Sequence, residues 1–496
     1  IENDNHITFL LSMNQESSLI SAVTKELNPP VTENGALSNE SSLDAVLDFF
    51  SKSGALRGKD TEIVNYFEKA FHANEELALR ALFYMRDIKK GQGERNNFRI
   101  LCQWLSNNFP DAIIRNMIHI PIFGRWDDFY AFVEIEQTKE IALNIIKERF
   151  EKDIELVQRD KNISLLGKWL KSENASSQET KKLAIITREF LGLTSVQYRK
   201  SLTLLRKQIN IVETLMSQQL WDQIEYSHVP SYAMKIYRKA FGKHDSDRFN
   251  QYLSAVANGT KRINASTLYP YDIVRTVLSM DPHDTDGIQA LDLQWNNLPN
   301  YMEDCNDNQC MIVADVSGSM TCGRGSVLPI HVAISLAIYF AERIQGSFQG
   351  YFMTFSDSPS LVKVEGNNIR EKVKSVENAD WGGSTNLIKT FQVILDAAVK
   401  NHLPQNEMPS KLFIISDMQF NAACPNNKKT NFEQIDQMYQ NAGYTRPTLV
   451  FWNVNAKADS PVTNDDTGTF LVSGCSPSIL KNALNTNALT PLDLML

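Results

Sequence analysis

Three short oxygen-bearing side chains stand at alternate positions directly after an apolar run. The run is Met311-Ile312-Val313-Ala314, and Asp315, Ser317 and Ser319 follow it. Alternate residues of an extended chain point to one side, so a carboxylate and two hydroxyls can converge beyond the end of a buried strand. Oxygen donors suit a hard divalent cation, and Gly318 lets the backbone bend tightly between them. The pattern therefore predicts a metal site after this strand.

Two segments further along the chain have the composition that would complete such a site. Trp381-Gly382-Gly383-Ser384-Thr385-Asn386 is a glycine loop that presents a threonine before a helical pattern begins at Leu387. Residues 412–416 form a second apolar strand, and Asp417 follows it. All three segments therefore place oxygen donors at the end of a strand or the start of a helix.

In this order the three segments resemble the metal-ion-dependent adhesion site of von Willebrand factor A domains. The resemblance implies Mg²⁺, with Mn²⁺ able to substitute. The ion would be held by the hydroxyls of Ser317, Ser319 and Thr385, and by Asp315 and Asp417 directly or through water. One position stays open for a partner's carboxylate or a phosphate oxygen. The alternatives are a polar turn without metal and a degenerate site that keeps the fold but not the ion.

Signatures of common catalytic classes do not occur in the sequence. It has no G-x-x-x-x-G-K-[ST] phosphate loop, no H-E-x-x-H and no G-x-S-x-G. Asp315 and Asp417 could be read as an acid–base pair. Two neighbouring ionised carboxylates need a counter-charge, however, and a bound cation supplies it. We therefore expect a protein that is not an enzyme, with a metal-dependent nuclease or hydrolase as an alternative.

Length and composition indicate an intracellular protein of several domains. A chain of 496 residues is too long for one ordinary core, so we expect two or three domains. No run of about eighteen apolar residues occurs, and the acidic start of the sequence lacks a signal-peptide pattern. The six cysteines show no C-x-x-C spacing, which favours reduced thiols in the cytoplasm. Cys305 and Cys310 could still pair.

Apolar spacing divides the chain into three parts. Residues 1–40 are predicted to be a polar N-terminal tail. In residues 41–300 apolar residues recur at three and four positions, in segments of ten to twenty residues broken by Gly, Pro or Asn. This pattern is similar to stacked helical pairs of the HEAT type, and it predicts an all-α repeat domain. Residues 301–496 are predicted to form an α/β domain of the von Willebrand A type, which is Rossmann-like.

Within the third part, apolar strands alternate with amphipathic helices. Alternation of this kind predicts a mostly parallel sheet with helices on both faces, and ligands then bind at the carboxyl ends of the strands. Asp315 and Asp417 stand at such ends. The predicted strands are 311–315, 348–355, 361–364, 411–416, 447–453 and 469–472, and the predicted helices are 327–344, 368–377, 387–400, 431–441 and 476–485.

A helical-repeat domain followed by an A domain resembles the architecture of Ro autoantigens, the TROVE module of RNA-chaperone ribonucleoproteins. Residues 86–95 resemble a TROVE segment between two helices, and Gly124-Arg125-Trp126-Asp127 resembles a TROVE turn. Val229-Pro230-Ser231-Tyr232-Ala233-Met234-Lys235 is more similar still to an uncharacterised relative family with this architecture. The resemblance covers residues 40–485.

The resemblance implies that the helical repeats close into a basic ring that binds RNA, with an open arc as the alternative. Charge is distributed accordingly: residues 51–250 have 32 basic and 26 acidic side chains, whereas residues 251–496 have 17 and 24. Trp126, Tyr198 and Trp169 are expected stacking residues. The expected phosphate contacts are Lys89, Lys90, Arg95, Arg99, Arg125, Lys181, Lys182, Arg188, Arg199, Lys200, Arg206 and Lys207.

The resulting hypothesis is a monomeric, cytoplasmic RNA-binding protein that does not bind membranes. Its helical domain would hold structured or misfolded RNA, and its A domain would recruit a protein partner through Mg²⁺ or Mn²⁺. The alternative is a metal-dependent assembly scaffold that binds no nucleic acid.

Overall fold

The computed structural model shows a helical region up to residue 303 and an α/β unit from residue 309. It describes residues 31–32, 34–281, 283–303, 309–315, 317–322, 327–379, 386–420, 431–456, 460–479, 483 and 490–496. Many helices followed by a sheet with helices are compatible with the predicted order of a helical domain and an α/β domain.

The helical region consists of helices of different lengths joined by turns and loops. They are α1 Ala45–Ser53, α2 Asp60–Ala73, α3 Glu75–Arg86, α4 Asn96–Asn108, α5 Pro110–Ile114, α6 Ile120–Phe123, α7 Glu136–Gln158, α8 Leu166–Trp169, α9 Gln178–Phe190, α10 Ser195–Gln208, α11 Val212–Ser217, α12 Ser231–His244, α13 Ser246–Ala257, α14 Pro270–Leu278 and α15 Thr285–Asn296.

Helix α2 illustrates why these segments are helical. Ile63, Phe67, Ala70 and Phe71 are its buried residues, and their spacing of three and four places them on one face. The helix ends at Ala73. The side chain of the next residue, Asn74, accepts a hydrogen bond from Leu77 N–H and so caps the start of α3. The helical periodicity expected for this region is thus confirmed.

The α/β unit contains a six-stranded sheet. The strands are β1 Cys310–Ala314, β2 Tyr351–Thr354, β3 Leu361–Lys363, β4 Lys411–Ser416, β5 Thr448–Asn453 and β6 Thr469–Ser473. Their order across the sheet is β3-β2-β1-β4-β5-β6, and β3 is antiparallel to β2 whereas the other pairs are parallel. The helices are α16 Pro329–Arg343, α17 Ile369–Glu377, α18 Leu387–Asn401, α19 Asn431–Asn441 and α20 Pro491–Met495.

Alternation along β1 fills two cores on opposite faces of the sheet. Ile312 and Ala314 point into one core, and Met311 and Val313 point into the other. All five residues of β1 are buried, as expected for a strand of a parallel sheet that is covered on both faces. The predicted strands and helices match these elements closely, except that predicted helix 476–485 falls largely outside the described residues.

Both ends of the helical region pack against the sheet. Ile273 of α14 and Trp295 of α15 belong to the core that contains Ile312. Leu47 and Phe50 of α1 belong to the core on the other face. The predicted division near residue 300 is therefore crossed by two continuous apolar cores.

The junction beyond β6 is tight and polar. Gly54 N–H donates a hydrogen bond of 3.1 Å to Ser473 Oγ, which itself donates to Phe50 O at 3.2 Å. A Cβ on Gly54 would lie 2.6 Å from the Cα of Gly474. Two backbones therefore touch at this point, with hydrogen bonds that satisfy the buried groups around them.

Part of the predicted N-terminal tail is also packed. Residues 31–32 and 34–40 are the described portion of the tail, and Thr32, Ala36 and Ser38 are buried. Asn39 pairs with Ser460 in an isolated antiparallel bridge. This segment therefore lies against the α/β unit.

Candidate metal site

The two aspartates predicted as metal ligands follow neighbouring strands. Ala314 of β1 pairs with Ile415 of β4 in parallel register, and Asp315 N–H donates a hydrogen bond of 2.9 Å to Ile415 O. The chain runs from β1 towards β2 and β3, and then returns to the other side of β1 at β4. Because this is the point where the strand order reverses, the crevice between β1 and β4 is where such sheets bind ligands.

The carboxylate of Asp315 is buried and held from two sides. Its Oδ1 accepts a hydrogen bond of 2.8 Å from Ser317 N–H. Its Oδ2 accepts one of 2.6 Å from the hydroxyl of Ser416, the last residue of β4. The side chain is fully buried, so its orientation is fixed by the two strands rather than by solvent.

The two serine hydroxyls of the loop after β1 come together as predicted. Ser317 Oγ and Ser319 Oγ are 3.0 Å apart. Ser317 is buried and Ser319 is half-buried, where the chain enters a short 3₁₀ turn at Gly318–Thr321. Two hydroxyl oxygens at this separation can serve neighbouring positions around one hard cation.

Asp417 is buried as well and influences Asp315 electrostatically. Its Oδ1 accepts a hydrogen bond of 3.3 Å from Gln419 N–H. Burial, and then the charge of Asp417, raise the pKa of Asp315 to about 6, although hydrogen bonds from Ser416 and Ser317 act in the opposite direction. Two buried carboxylates that disfavour each other's ionisation form a site that a cation would stabilise.

The predicted ligand Thr385 lies outside the described residues, but the residue after it is described. Asn386 caps α18 by accepting a hydrogen bond of 3.0 Å from Lys389 N–H. Its Nδ2 donates at 2.8 Å to Oδ1 of Asp357, which follows β2. The start of α18 is therefore tied to the loop after β2, the strand beside β1.

The sequence patterns do not single out Ser416 or Asp357. Ser416 is the last residue of an otherwise apolar strand, and Asp357 stands in a short polar stretch after β2. A signal was present for both, because each lies next to the carboxyl end of a predicted strand. Their partners could not be inferred, since pairing depends on strand order.

The donor set fits a hard divalent cation. In the part of the chain that the structure describes, no group of three or more His, Cys, Asp or Glu side chains could hold a metal ion. The candidate site instead combines two carboxylates with hydroxyls, a composition that suits Mg²⁺ or Mn²⁺ better than Zn²⁺. Asp315, Ser317, Ser319 and Asp417 are the described residues that would hold it.

Several predicted RNA-contacting cations are engaged in internal bonds. Arg99 pairs with Asp127 and Asp128 at 2.7 and 2.8 Å. Arg188 pairs with Glu173 at 2.7 Å. Three backbone or side-chain oxygens accept hydrogen bonds from Arg206. These guanidinium groups stabilise the fold, so an RNA surface would depend mainly on other cations.

The remaining predicted cations are more accessible. Arg125 is half-buried, and its guanidinium carbon lies 4.7 Å from the ring centroid of Trp169. Lys181 is half-buried, and Lys182 is exposed and paired with Glu134. The other predicted cations are exposed, namely Lys89, Lys90, Arg95, Arg199, Lys200 and Lys207.

The three aromatic residues predicted to stack on bases differ in exposure. Tyr198 is fully buried and its hydroxyl donates a hydrogen bond of 2.8 Å to Lys171 O, so its ring has no free face to offer. Trp126 is half-buried and stacks on Phe129 with ring centroids 5.5 Å apart. Trp169 is half-buried, and the cations Arg125 and Lys168 lie over its ring.

The fold defines this chain as a helical region joined to a doubly wound α/β unit, with a cluster of oxygen donors where the strand order reverses. Two family models match it. The one described as Domain of unknown function (DUF2828) matches residues 32–182 and 167–307, and the one described as Domain of unknown function (DUF7788) matches residues 309–492. The chain belongs to the DUF2828 family.

A viral protein is similar along nearly the whole chain. The "Uncharacterized protein L728" of Acanthamoeba polyphaga mimivirus is 30% identical over 509 residues, which cover 95% of this chain and 87% of the relative. The similarity therefore extends over both the helical region and the α/β unit.

Within the described residues, no helix is long and apolar enough to cross a membrane.

Proposed function

We propose that this protein binds Mg²⁺, or Mn²⁺ in its place, where β1 and β4 end, and that it docks a carboxylate-bearing protein partner through the ion. The observation that carries the proposal is that Asp315 and Asp417 are both fully buried after the neighbouring strands β1 and β4, where a divalent cation would offset their negative charge. Ser317 and Ser319 supply hydroxyl oxygens beside them. Thr385 is included on the resemblance to the metal-ion-dependent adhesion site of von Willebrand A domains.

Each described residue has a separate task in this proposal. Asp315, oriented by Ser416, faces the crevice with a fixed carboxylate. Ser317 and Ser319 present neutral oxygens, which leave the site with two negative charges against the two positive charges of the ion. The bound ion would supply an open coordination position for an external carboxylate or phosphate oxygen.

Isothermal titration calorimetry of the full chain with Mg²⁺ and Mn²⁺ tests the metal site. We expect one ion to bind, and Asp315→Asn to abolish binding because the replacement keeps the shape but removes the charge. Asp436→Asn is the matched control, since Asp436 lies on α19 and pairs with Arg446 at 3.0 Å. Failure of the wild-type protein to bind either ion at millimolar concentration would reject the proposal.

We also propose that the helical region binds RNA, as an RNA-chaperone-like ribonucleoprotein would. Support comes from a group of cations, Arg95, Arg125, Lys168 and Lys171, none of which forms an ion pair with a described carboxylate. Lys168 Nζ lies 5.5 Å from the ring centroid of Trp169, on which Arg125 also stacks. Phosphates attract unpaired cations of this kind, and an accessible aromatic ring can stack on a base.

Burial is the main cause that lowers the pKa of two of these cations. For Arg125 the neighbouring Arg86 and Arg95 act in the same direction, whereas Asp127 and Asp128 raise the pKa. For Lys171 the cations Arg99 and Arg95 lower the pKa, whereas Asp127 and Glu179 raise it. A phosphate beside these partly buried cations would stabilise their charged forms.

Fluorescence anisotropy with labelled single-stranded and hairpin RNA tests this second proposal. We expect binding at low salt that weakens steeply as salt is raised, because phosphate contacts release counterions. If no RNA binds at low salt, the remaining function is a metal-dependent assembly scaffold without nucleic acid. That alternative predicts that proteins are retained on the immobilised chain with Mg²⁺ and released by EDTA.

We propose that the helical region is a HEAT-type array that curves into a ring. This proposal is supported by α1 and α14–α15, which pack on the same α/β unit from opposite ends of the region. A low-resolution density map would test it, because an open arc has no hole. We assign the protein no catalytic activity and expect a cytoplasmic monomer, in line with the free thiols of Cys102, Cys322 and Cys475.

A further inference from the structure

A small turn near the start of the described chain lies against the loop that carries Asp417. Its described residues are 31–32 and 34–39, here named the 31–39 turn. Thr32 N–H donates a hydrogen bond of 2.8 Å to Ala36 O, and Ala36 N–H donates one of 3.0 Å to Thr32 Oγ1. Gly35 adopts a φ of +84°, a left-handed conformation that glycine reaches without strain. The turn therefore has a defined conformation of its own.

Two side chains of the turn hold consecutive carbonyls of the loop after β4. Thr32 Oγ1 donates a hydrogen bond of 2.6 Å to Phe420 O. Asn34 Nδ2 donates one of 2.7 Å to Gln419 O. Thr32 is buried, so its hydroxyl has no water to replace this bond. The segments lie 388 and 385 positions apart in the chain at these two bonds.

The held loop begins at Asp417 and contains an uncommon backbone conformation. Met418 has a φ of +66°, which residues with a Cβ rarely adopt. Its N–H donates a hydrogen bond of 3.1 Å to Ser416 Oγ, and Gln419 N–H reaches back to Asp417 Oδ1. A strained turn persists when its surroundings hold it, and the 31–39 turn provides two of the bonds that do so.

The far end of the turn is anchored as well. Asn39 N–H donates a hydrogen bond of 2.9 Å to Ser460 O, and Ser460 N–H donates one of 2.8 Å to Asn39 O. Ser460 lies between β5 and β6 in the sequence. The 31–39 turn thus connects the loop after β4 with the segment after β5, and it covers the carboxyl edge of the sheet beside the candidate metal site.

We infer that Thr32 and Asn34 are positioning residues for Asp417, and that the 31–39 turn sets the affinity of the site for its divalent ion. This inference rests on the proposed metal site. Its physical basis is the loop that begins at Asp417. This loop is strained, and two of its backbone carbonyls accept hydrogen bonds from the 31–39 turn, which lies outside the α/β unit. Displacement of the turn, for example by a partner that binds residues 31–39, would release the loop and weaken ion binding.

Calorimetry with Mn²⁺ on the full chain tests the inference. Thr32→Val removes the hydroxyl donor while it keeps the shape, and we expect it to weaken Mn²⁺ binding about 10-fold, because the buried carbonyl of Phe420 loses its hydrogen bond and the loop is released. Asn34→Ala should weaken binding about threefold, because one exposed hydrogen bond is lost. Thr138→Val is the matched control, since Thr138 is equally buried and its hydroxyl donates to Phe132 O at 3.3 Å in the helical region.

Hydrogen exchange supplies a second measurement. If the bond merely stabilised the fold, its loss would not change exchange selectively in the loop after β4. In Thr32→Val without metal, the amides of residues 417–420 should exchange faster while those of β1 are unchanged. The same variant in Mn²⁺ should recover part of the protection.

The outcomes separate this inference from the proposed function. If the wild-type chain binds no Mn²⁺, the metal site fails and the inference fails with it. If the wild-type chain binds and both turn variants bind equally well, the site stands and the positioning role is wrong. Equal weakening by Thr138→Val would also overturn it, since general destabilisation would then explain the loss. If Thr32→Val does not fold, the Mn²⁺ affinity of Asn34→Ala alone tests the positioning role, because Asn34 is exposed.

Discussion

The hydroxyl of Ser416 donates a hydrogen bond of 2.6 Å to Oδ2 of Asp315, although the two residues are 101 positions apart. The Oγ of Ser416 also accepts a hydrogen bond of 3.1 Å from Met418 N–H. One serine at the end of β4 therefore fixes the carboxylate after β1 and the start of the loop that carries Asp417. This arrangement makes Ser416 a positioning residue of the candidate metal site.

Replacement of Ser416 by alanine should weaken Mg²⁺ binding about 10-fold or more, because an outer-shell hydrogen bond orients the ligand. Titration calorimetry at constant pH measures the change. Ser335→Ala is the matched control, since Ser335 is buried in α16 and its hydroxyl bonds locally to Val332 O at 2.8 Å. Unchanged Mg²⁺ affinity in Ser416→Ala, with the fold intact, would contradict the positioning role.

Ion binding and stability should both depend on pH through Asp315. Its pKa is raised from 3.8 to about 6 by burial and by Asp417, so the folded protein holds this proton more tightly than the unfolded chain does. The resulting stabilisation is complete below about pH 3.8 and is lost as the pH rises through about 6. In EDTA, the melting temperature of the wild-type protein should therefore fall relative to that of Asp315→Asn between about pH 3.8 and about pH 6, with no further change above that range.

Mg²⁺ should reverse that difference in melting temperature at the higher pH, because the ion then neutralises the charge of the deprotonated Asp315 carboxylate. Melting curves of both proteins in EDTA and in Mg²⁺, at several pH values, measure the effect. If the melting temperatures of wild type and Asp315→Asn change in parallel with pH in EDTA, Asp315 is not the source of the pH dependence.

Lys168 and Lys171 should contribute to RNA affinity without specifying sequence. We expect Lys168→Ala and Lys171→Ala each to weaken RNA binding about 3- to 10-fold and to reduce the salt slope by about one. Anisotropy titrations across a salt series measure both quantities. Lys400→Ala provides the control, because Lys400 is exposed on α18 of the α/β unit. Equal losses in all three variants would indicate attraction by overall charge instead of a defined surface.

The junction between the helical region and the sheet should tolerate no added atom at Gly54. A Cβ there would lie 2.6 Å from the Cα of Gly474, and backbone atoms on both sides cannot move independently. Gly54→Ala should cost about 1–3 kcal/mol of unfolding free energy, seen as a lower melting temperature. Gly242→Ala is the control, since Gly242 lies in α12 with no atom within 4 Å of the added Cβ, and it should be neutral or slightly stabilising.

Local patterns predicted the elements well because they depend on neighbouring residues. Alternation in β1 and apolar spacing in α2 are both visible in the sequence, and both elements formed as expected. The convergence of Ser317 and Ser319 was predictable for the same reason, since two positions of one loop control it. The burial of Tyr198 was not predictable, because it depends on packing against residues far along the chain.

Local patterns in the sequence specify which segments become strands and helices and which of them end in oxygen donors. Folding in three dimensions makes β1 and β4 neighbours, lets Ser416 orient Asp315, and brings Thr32 to the loop after Asp417. The difference is one of range, because periodicity is set by residues a few positions apart, whereas these contacts join positions 101 to 388 apart. Such contacts depend on the order of strands and on the packing of whole helices.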